Sequence, residues 1–154
     1  MNSSECLFCN FATHKEECFK IWEDDFFIAF LTPFPNTKGF TVVIPKEHHS
    51  SYLFEVAENV MNDLIIASKK VAKILEQGLK VARCAIVFEG YGINHLHCKL
   101  IPLHGTKKDQ QWLPIHSVKE ANPYFDKYEG YISSHDGLRV SNEELEKVIK
   151  EILN

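Results

Sequence analysis

The chain has 154 residues, of which 45% are hydrophobic and 25% charged, and these fractions are typical of one ordinary globular domain. Its formal net charge of −4 at pH 7 gives no support for binding along a nucleic-acid backbone. Any bound anion must therefore be held by a local cluster of residues. The cysteine count is odd, and without an export signal this argues against a disulfide framework and favours reduced thiols or metal ligands.

Neither a membrane span nor a leader is predicted. The sequence contains no run of 18 apolar residues, and residues 1–5 lack the basic and apolar parts of a signal peptide. We therefore expect a cytoplasmic protein that does not bind a membrane. The length is that of a single domain with a substantial core, so we expect one domain over residues 1–154.

The chain opens with Cys6 and Cys9, whose C-x2-C spacing brings two thiolates onto one tetrahedral metal ion. Two ligands do not make a site, and a pair of buried free cysteines is the alternative interpretation. Three strands, predicted from their aromatic and β-branched residues, follow at residues 18–24, 26–31 and 40–44. The first two form a hairpin around the acidic turn Asp24-Asp25, and Pro45 ends the third.

Residues 55–77 are predicted to form one long helix, because apolar side chains recur at three- and four-residue steps. Gly78 is its predicted C-terminal stop. Such a stripe is typical of a helix face packed on a sheet rather than of a cofactor site. Two further strands are predicted at residues 81–88 and 96–103, so the chain reads as an α+β domain with about five strands around one long helix.

The last of these strands carries the strongest functional signal. Alternation along a strand places Leu96, Cys98 and Leu100 on one face and His95, His97 and Lys99 on the other. The first face is predicted core. The second holds two imidazoles and an ammonium, next to the Gly90-Tyr91-Gly92 turn, whose backbone N–H groups are suited to an anion. Histidines at this spacing also occur by chance, and such histidines more often satisfy local hydrogen bonds than perform chemistry.

This segment resembles the signature of the histidine-triad (HIT) superfamily of nucleotide hydrolases and transferases, His-x-His-x-His followed by two apolar residues. His95 and His97 match the first two positions, Leu100 and Ile101 match the apolar pair, and Lys99 stands in place of the third histidine. Three more segments resemble the family in the same order, namely Cys6-Leu7-Phe8-Cys9, residues 22–31 and residues 37–48.

The resemblance implies a HIT-like antiparallel sheet over a core of about residues 5–105, with a C-terminal extension over about 106–154. That extension contains a capping box beginning at Ser141, which opens a last helix. The resemblance also implies a homodimer in which the sheets of two chains continue across a twofold axis.

The activity implied is that of a nucleotide hydrolase in which His97 attacks the α-phosphate of a dinucleoside polyphosphate or a nucleoside phosphoramidate. A nucleotidyl-histidine intermediate would form, and the substrate would be a purine nucleotide or dinucleotide. No organic cofactor is implied. The implied nucleotide-binding residues are Lys99, Asn94, Gly90, Gly92, Phe30 and Thr32.

Zinc is implied by the same resemblance, held by Cys6, Cys9, His48 and His95. The departures from the family pattern leave other functions open. Lys99 suits phosphate binding better than proton exchange, or it pairs on the surface with a carboxylate such as Glu89. Because Lys99 and Phe40 replace common histidines, the alternatives are a non-catalytic nucleotide-binding or sensing module and a nucleotidyltransferase.

Overall fold

A five-stranded antiparallel sheet is the framework of the residues that the structure, a computed structural model, describes: 6–106 and Glu143. Its strands are β1 (Phe19–Glu23), β2 (Phe27–Leu31), β3 (Thr41–Pro45), β4 (Cys84–Val87) and β5 (Cys98–Pro102). Their spatial order is β1-β2-β3-β5-β4. With the long helix packed on it, this sheet confirms the predicted α+β, HIT-like fold.

Two α-helices and a short 3₁₀ helix complete the described part. The helices are α1 (Leu7–Ala12) and α2 (Glu58–Leu79), and the 3₁₀ helix covers Leu53–Glu55. Residues 6–106 belong to one compact unit. The single domain over residues 1–154 and the last helix after Ser141 stay predictions, because residues 107–142 and 144–154 lie outside the described part.

The hairpin predicted around Asp24 forms. The carboxylate of Asp24 accepts hydrogen bonds from the backbone N–H groups of Phe26 and Phe27, at 3.0 and 2.9 Å, and this closes the turn between β1 and β2. At the end of β1, the Glu23 carboxylate pairs with Lys46 at 2.7 Å and with His14 at 3.2 Å. These contacts join the chain following α1 to the end of β3.

Several predicted element bounds are wrong. The long helix begins at Glu58 rather than at residue 55, and β4 begins at Cys84 rather than at residue 81. The helix also passes through Gly78 and ends at Leu79, and it is Lys80 that has the left-handed conformation common just after a helix. The last strand begins at Cys98 rather than Leu96. The N–H of Leu96 donates to the carbonyl of His49 at 2.9 Å, so at this point the backbone is bonded to a loop and not to a strand.

Both faces of the sheet are packed. Helix α2 covers one of them, and the buried residues on that side include Leu64, Ala67, Val71, Leu75, Leu96, Cys98 and Leu100. The N-terminal segment covers the other, where the buried apolar residues include Cys6, Phe8, Cys9, Ile28, Phe30, Val42 and Ile44. The predicted alternation of side chains along this segment is therefore confirmed.

No helix within the described ranges combines the length and the apolar character needed to cross a membrane.

Candidate active site and metal site

Helix α1 lays aromatic rings over the face that carries the two histidines. Phe8 contacts the rings of His95 and His97 edge-on, with centroids 5.9 and 5.7 Å apart. It also contacts Phe30 at 5.4 Å, and Phe11 contacts Phe30 from a second side at 5.1 Å. Phe30 is 3% exposed, so it is buried in the core beneath these rings.

Cys6, Cys9, His48 and His95 converge at the start of α1. One ligand atom from each lies within 4.8 Å of all the others. The Nδ1 atom of His95 lies 3.5 Å from both sulfurs, and Nδ1 of His48 lies 3.3 Å from the sulfur of Cys9. The four residues implied as ligands are therefore brought together from three separate segments of the chain.

The chemistry of this donor set fits zinc. The Nε2 atom of His95 lies 2.9 Å from the carbonyl oxygen of Pro45. Because a carbonyl only accepts, Nε2 carries the proton, and the lone pair of Nδ1 faces the two thiols. Tetrahedral zinc, with bonds of about 2.3 Å to sulfur and 2.0–2.1 Å to nitrogen, separates a sulfur from a nitrogen ligand by about 3.6 Å. The distances found here, 3.3 and 3.5 Å, are close to that value.

The pKa shifts of Cys9 and His95 keep both side chains uncharged near pH 7. Burial, and after it the neighbouring Cys6, raises the pKa of the Cys9 thiol to about 11. Burial lowers the pKa of His95 to about 4, so its imidazole stays neutral near pH 7. A divalent metal between the two thiols would offset the cost of ionising them, since thiols that coordinate a metal deprotonate.

His97 is held in one tautomer. Its Nδ1 atom lies 2.7 Å from the carbonyl oxygen of His95, which can only accept, so Nδ1 donates and the lone pair is on Nε2. His97 is 3% exposed, and burial lowers its pKa. A neutral imidazole with one fixed lone pair is the form that a nitrogen nucleophile requires.

Lys99 forms an ion pair with Glu89, as one of the two interpretations of its role expects. The two side chains are 24% and 17% exposed, so the pair is mostly enclosed. Burial lowers the pKa of Lys99. In the sheet Lys99 stands opposite Val42 of β3 and Val87 of β4. It lies on the same face as His97, two residues away.

The glycine turn is fastened to the segment that follows β3. Gly90 has φ +74°, and a Cβ atom there would lie 3.1 Å from the carbonyl oxygen of Ser51, so the close approach favours glycine. The side-chain oxygen of Asn94 accepts the N–H of Ser51 at 3.1 Å. Gly92 has φ +95° and open space around it.

Thr32, at the end of β2, accepts the N–H of Phe34 at 3.2 Å through its hydroxyl.

A family profile described as the HIT domain matches residues 13–106, more than half of the chain. The chain belongs to the HIT family. A HIT-like protein of Saccharolobus solfataricus is 29% identical over 109 residues, 68% of this chain and 78% of that protein. An adenosine 5′-monophosphoramidase of Schizosaccharomyces pombe is 30% identical over 98 residues, 63% of this chain and 73% of the yeast protein.

Solved structures of similar proteins share the fold of this chain. A protein of Streptococcus mutans UA159 has a TM-score of 0.65 at 25% identity, covering 99% of this chain and 85% of that chain. A zinc-bound histidine triad protein of Mycobacterium smegmatis has a TM-score of 0.62 at 25% identity, over 69% of this chain and 81% of the other. The second of these holds zinc on the fold found here.

Part of this HIT site was not predicted from the sequence. Phe8 covers the histidines and Phe11 packs on Phe30, both from α1, a six-residue helix that is too short for a periodic pattern. The backbone carbonyl of Pro45 and the N–H of Ser51, which orient His95 and Asn94, have no sequence signal because every residue carries such groups. The phenylalanine inside the C-x2-C opening was the one available hint of the aromatic cover.

A surface cavity of about 550 Å³ lies elsewhere on the HIT domain. It is formed by the β1–β2 turn, the segment after β3 and α2, and its lining includes Asp24, His49 and Lys70. None of the implied catalytic, nucleotide-binding or metal residues lines it. The cavity therefore adds nothing to the assignment of His97.

Proposed function

We propose that this HIT protein is a nucleotide hydrolase that forms a covalent bond between His97 and the α-phosphate of its substrate. The observation that carries the proposal is the 2.7 Å hydrogen bond from Nδ1 of His97 to the carbonyl of His95, which leaves the Nε2 lone pair for attack. The similarity to a named adenosine 5′-monophosphoramidase supports a nucleotide substrate.

The reaction has two steps. The Nε2 lone pair of His97 forms a bond to phosphorus, and the bond from phosphorus to the leaving oxygen or nitrogen breaks, with its electron pair and a solvent proton going to the leaving group. Water then attacks the nucleotidyl-histidine, the phosphorus–nitrogen bond breaks, and neutral His97 returns while a proton passes to solvent. Such transfers depend mainly on in-line positioning and on neutralising phosphate charge.

The same proposal assigns nucleotide contacts around His97. Gly90 and Gly92 would offer backbone N–H groups to the phosphate, and Asn94 would fix their loop through Ser51. Lys99 would contact a phosphate oxygen. Thr32 would face the ribose, and contact between a purine base and Phe30 would require the covering rings of α1 to shift.

Zinc is proposed as a structural ion held by Cys6, Cys9, His48 and His95. It would fasten the N-terminal segment to the end of β3 and the start of β5, and thereby hold the His95 carbonyl that orients His97. No chemical step is assigned to the metal.

A homodimer is proposed through the β4 edge. Strand β4 is at one edge of the described sheet, and Ile86 on it is 48% exposed. On α2, the carbonyl of Ala72 contacts the Cys84 thiol at 4.0 Å, and Ile65 lies two turns earlier on the same flank and is 42% exposed. Light scattering at micromolar concentration should give a dimer mass, whereas a clean monomer near 17.7 kDa would contradict it.

A nucleotide-binding or sensing module is the second candidate, and a nucleotidyltransferase the third. The ion pair between Lys99 and Glu89 favours the sensor, because the family's third histidine is absent and its replacement is occupied. The test is turnover of a panel of adenylated amines and dinucleoside polyphosphates by the purified protein. Release of AMP into water supports the hydrolase, transfer to an added acceptor supports the transferase, and tight binding without turnover of any panel member would overturn both.

A further inference from the structure

Glu89 lies on the same side of the sheet as His97. Val87 stands opposite Lys99, so the two side chains share a face, and Glu89 follows Val87 at the two-residue spacing that returns to this face. Lys99 in turn lies about 7 Å along the extended backbone from His97, from the rise of two strand residues. The carboxylate is therefore next to the proposed site of attack and is not a distant surface group.

The surrounding backbone holds Glu89 in place. The next residue is Gly90, whose left-handed conformation and close approach to the Ser51 carbonyl fix the start of the loop. The side chain of Asn94 holds the far end of the same loop. Glu89 is thus presented to Lys99 from a fixed turn, and its side chain is only 17% exposed.

Both cations on the described strands are paired with carboxylates. Among the strand residues that the structure describes, the cations are Lys20 and Lys99. Lys20 is bound to Glu23 at 2.6 Å, and Lys99 is bound to Glu89. Each cation on these strands therefore already has a carboxylate partner.

We propose that Glu89, by holding Lys99, sets the charge selectivity of the site in favour of a singly charged α-phosphate with an uncharged or cationic leaving group. This inference rests on the proposed function and deepens it. A dinucleoside polyphosphate brings several negative charges beside the carboxylate, which repels them and competes for the Lys99 ammonium. A nucleoside phosphoramidate brings one charge, and its amine leaving group is not repelled. Glu89 is a positioning residue that acts through Lys99.

The test compares kcat/KM for adenosine 5′-monophosphoramidate and for diadenosine tetraphosphate in wild type and in Glu89→Gln. The variant should shift the ratio toward the tetraphosphate by on the order of 10-fold, because Lys99 is released and the repulsion is removed. The shift should shrink as salt is raised. Glu89→Asp, which keeps the charge, should stay near the wild-type ratio. A wild-type ratio in Glu89→Gln, at unchanged melting temperature, would overturn the proposal.

Two controls separate selectivity from folding and from total charge. Glu76→Gln removes the same charge from α2, on the other face of the sheet, where Glu76 pairs with Lys73 at 2.6 Å. It should leave the ratio unchanged. The double variant Glu89→Gln with Lys99→Met restores a neutral pair and should return the ratio toward wild type, so an unstable single variant does not remove the test.

A negative result for Glu89 can also be told apart from failure of the proposed hydrolase function. If wild type turns over neither these two substrates nor any other member of the panel, the hydrolase is refuted. The Glu89 proposal is then judged by calorimetric binding of AMP and ATP. Glu89→Gln should tighten ATP relative to AMP by on the order of 10-fold. An equal ratio of the two affinities in wild type and variant would refute the role of Glu89 as well.

Discussion

The two faces of residues 95–102 differ in what covers them. Leu96, Cys98 and Leu100 face α2, a helix of 22 residues whose apolar stripe covers them. His97 faces a six-residue helix and contacts it through the edge of one phenylalanine ring. Residues that are neighbours in sequence therefore lie in a conventional core and in a polar site.

If His97 is the proposed nucleophile, this one segment serves stability on one face and chemistry on the other. The α2 face needs volume and apolar surface, which many side chains supply. The other face needs particular atoms, because Nδ1 of His97 and Nε2 of His95 must each meet a carbonyl to fix a tautomer. Changes on the two faces should consequently affect different measurements.

The largest expected effect is that of His97→Asn. Turnover should fall on the order of 10⁴-fold, because the nucleophile is lost, while nucleotide binding and melting temperature stay near wild type. Steady-state kinetics on the best panel substrate, together with calorimetric binding, measure both. His104→Asn is the matched control, since His104 donates to the Lys38 carbonyl and lies outside the site. Comparable turnover by His97→Asn would refute the covalent mechanism.

Cys6→Ser should affect the N-terminal side of the site through the metal. Protein purified without added metal should contain about one zinc per chain, and the variant should lose it together with much of its thermal stability. Metal analysis and a melting curve are the measurements. Cys18→Ser, outside the ligand set, should keep the zinc. If the wild-type protein contained no metal and were as stable as Cys6→Ser, Cys6 and Cys9 would be buried free thiols and not zinc ligands.

Leu100→Ala should give the opposite result to His97→Asn. Leu100 is 2% exposed on the α2 face, and its truncation should cost about 2–5 kcal/mol of unfolding free energy. The kcat of the folded fraction should change little. Urea denaturation measures the loss, and Leu103→Ala, at a position 37% exposed, should cost much less. A large drop in kcat for folded Leu100→Ala would mean that the two faces are not independent.

Lys99→Met should have the smallest effect of the four. Removing the ammonium should cost on the order of 1.5–3 kcal/mol of phosphate-dependent binding or transition-state stabilisation, while affinity for the bare nucleoside barely changes. Kinetics and binding of wild type, Lys99→Met and Lys99→His on a nucleotide and its nucleoside measure this. Equal kinetics in all three proteins would show that the ion pair with Glu89 is structural only.

Strand alternation predicted the two faces of β5 because a period of two follows from the backbone whatever the contacts. The ligand set came from resemblance, since the sequence separates Cys9 from His48 and His48 from His95 by long segments. Gly78 was taken for the helix end by a general preference, and packing of Leu79 against the α2-side core carries the helix beyond it. Helix α1 and the carbonyl partners of the histidines had no pattern to reveal them.

We propose that the face opposite α2 performs chemistry through Nε2 of His97. The most direct test is to mix the protein with an adenylated amine, quench it in denaturant within one turnover, and map the labelled peptide by mass spectrometry. The account predicts AMP on the peptide that carries His97, and none in His97→Asn. Turnover without any adduct, or an adduct on another residue, would contradict it.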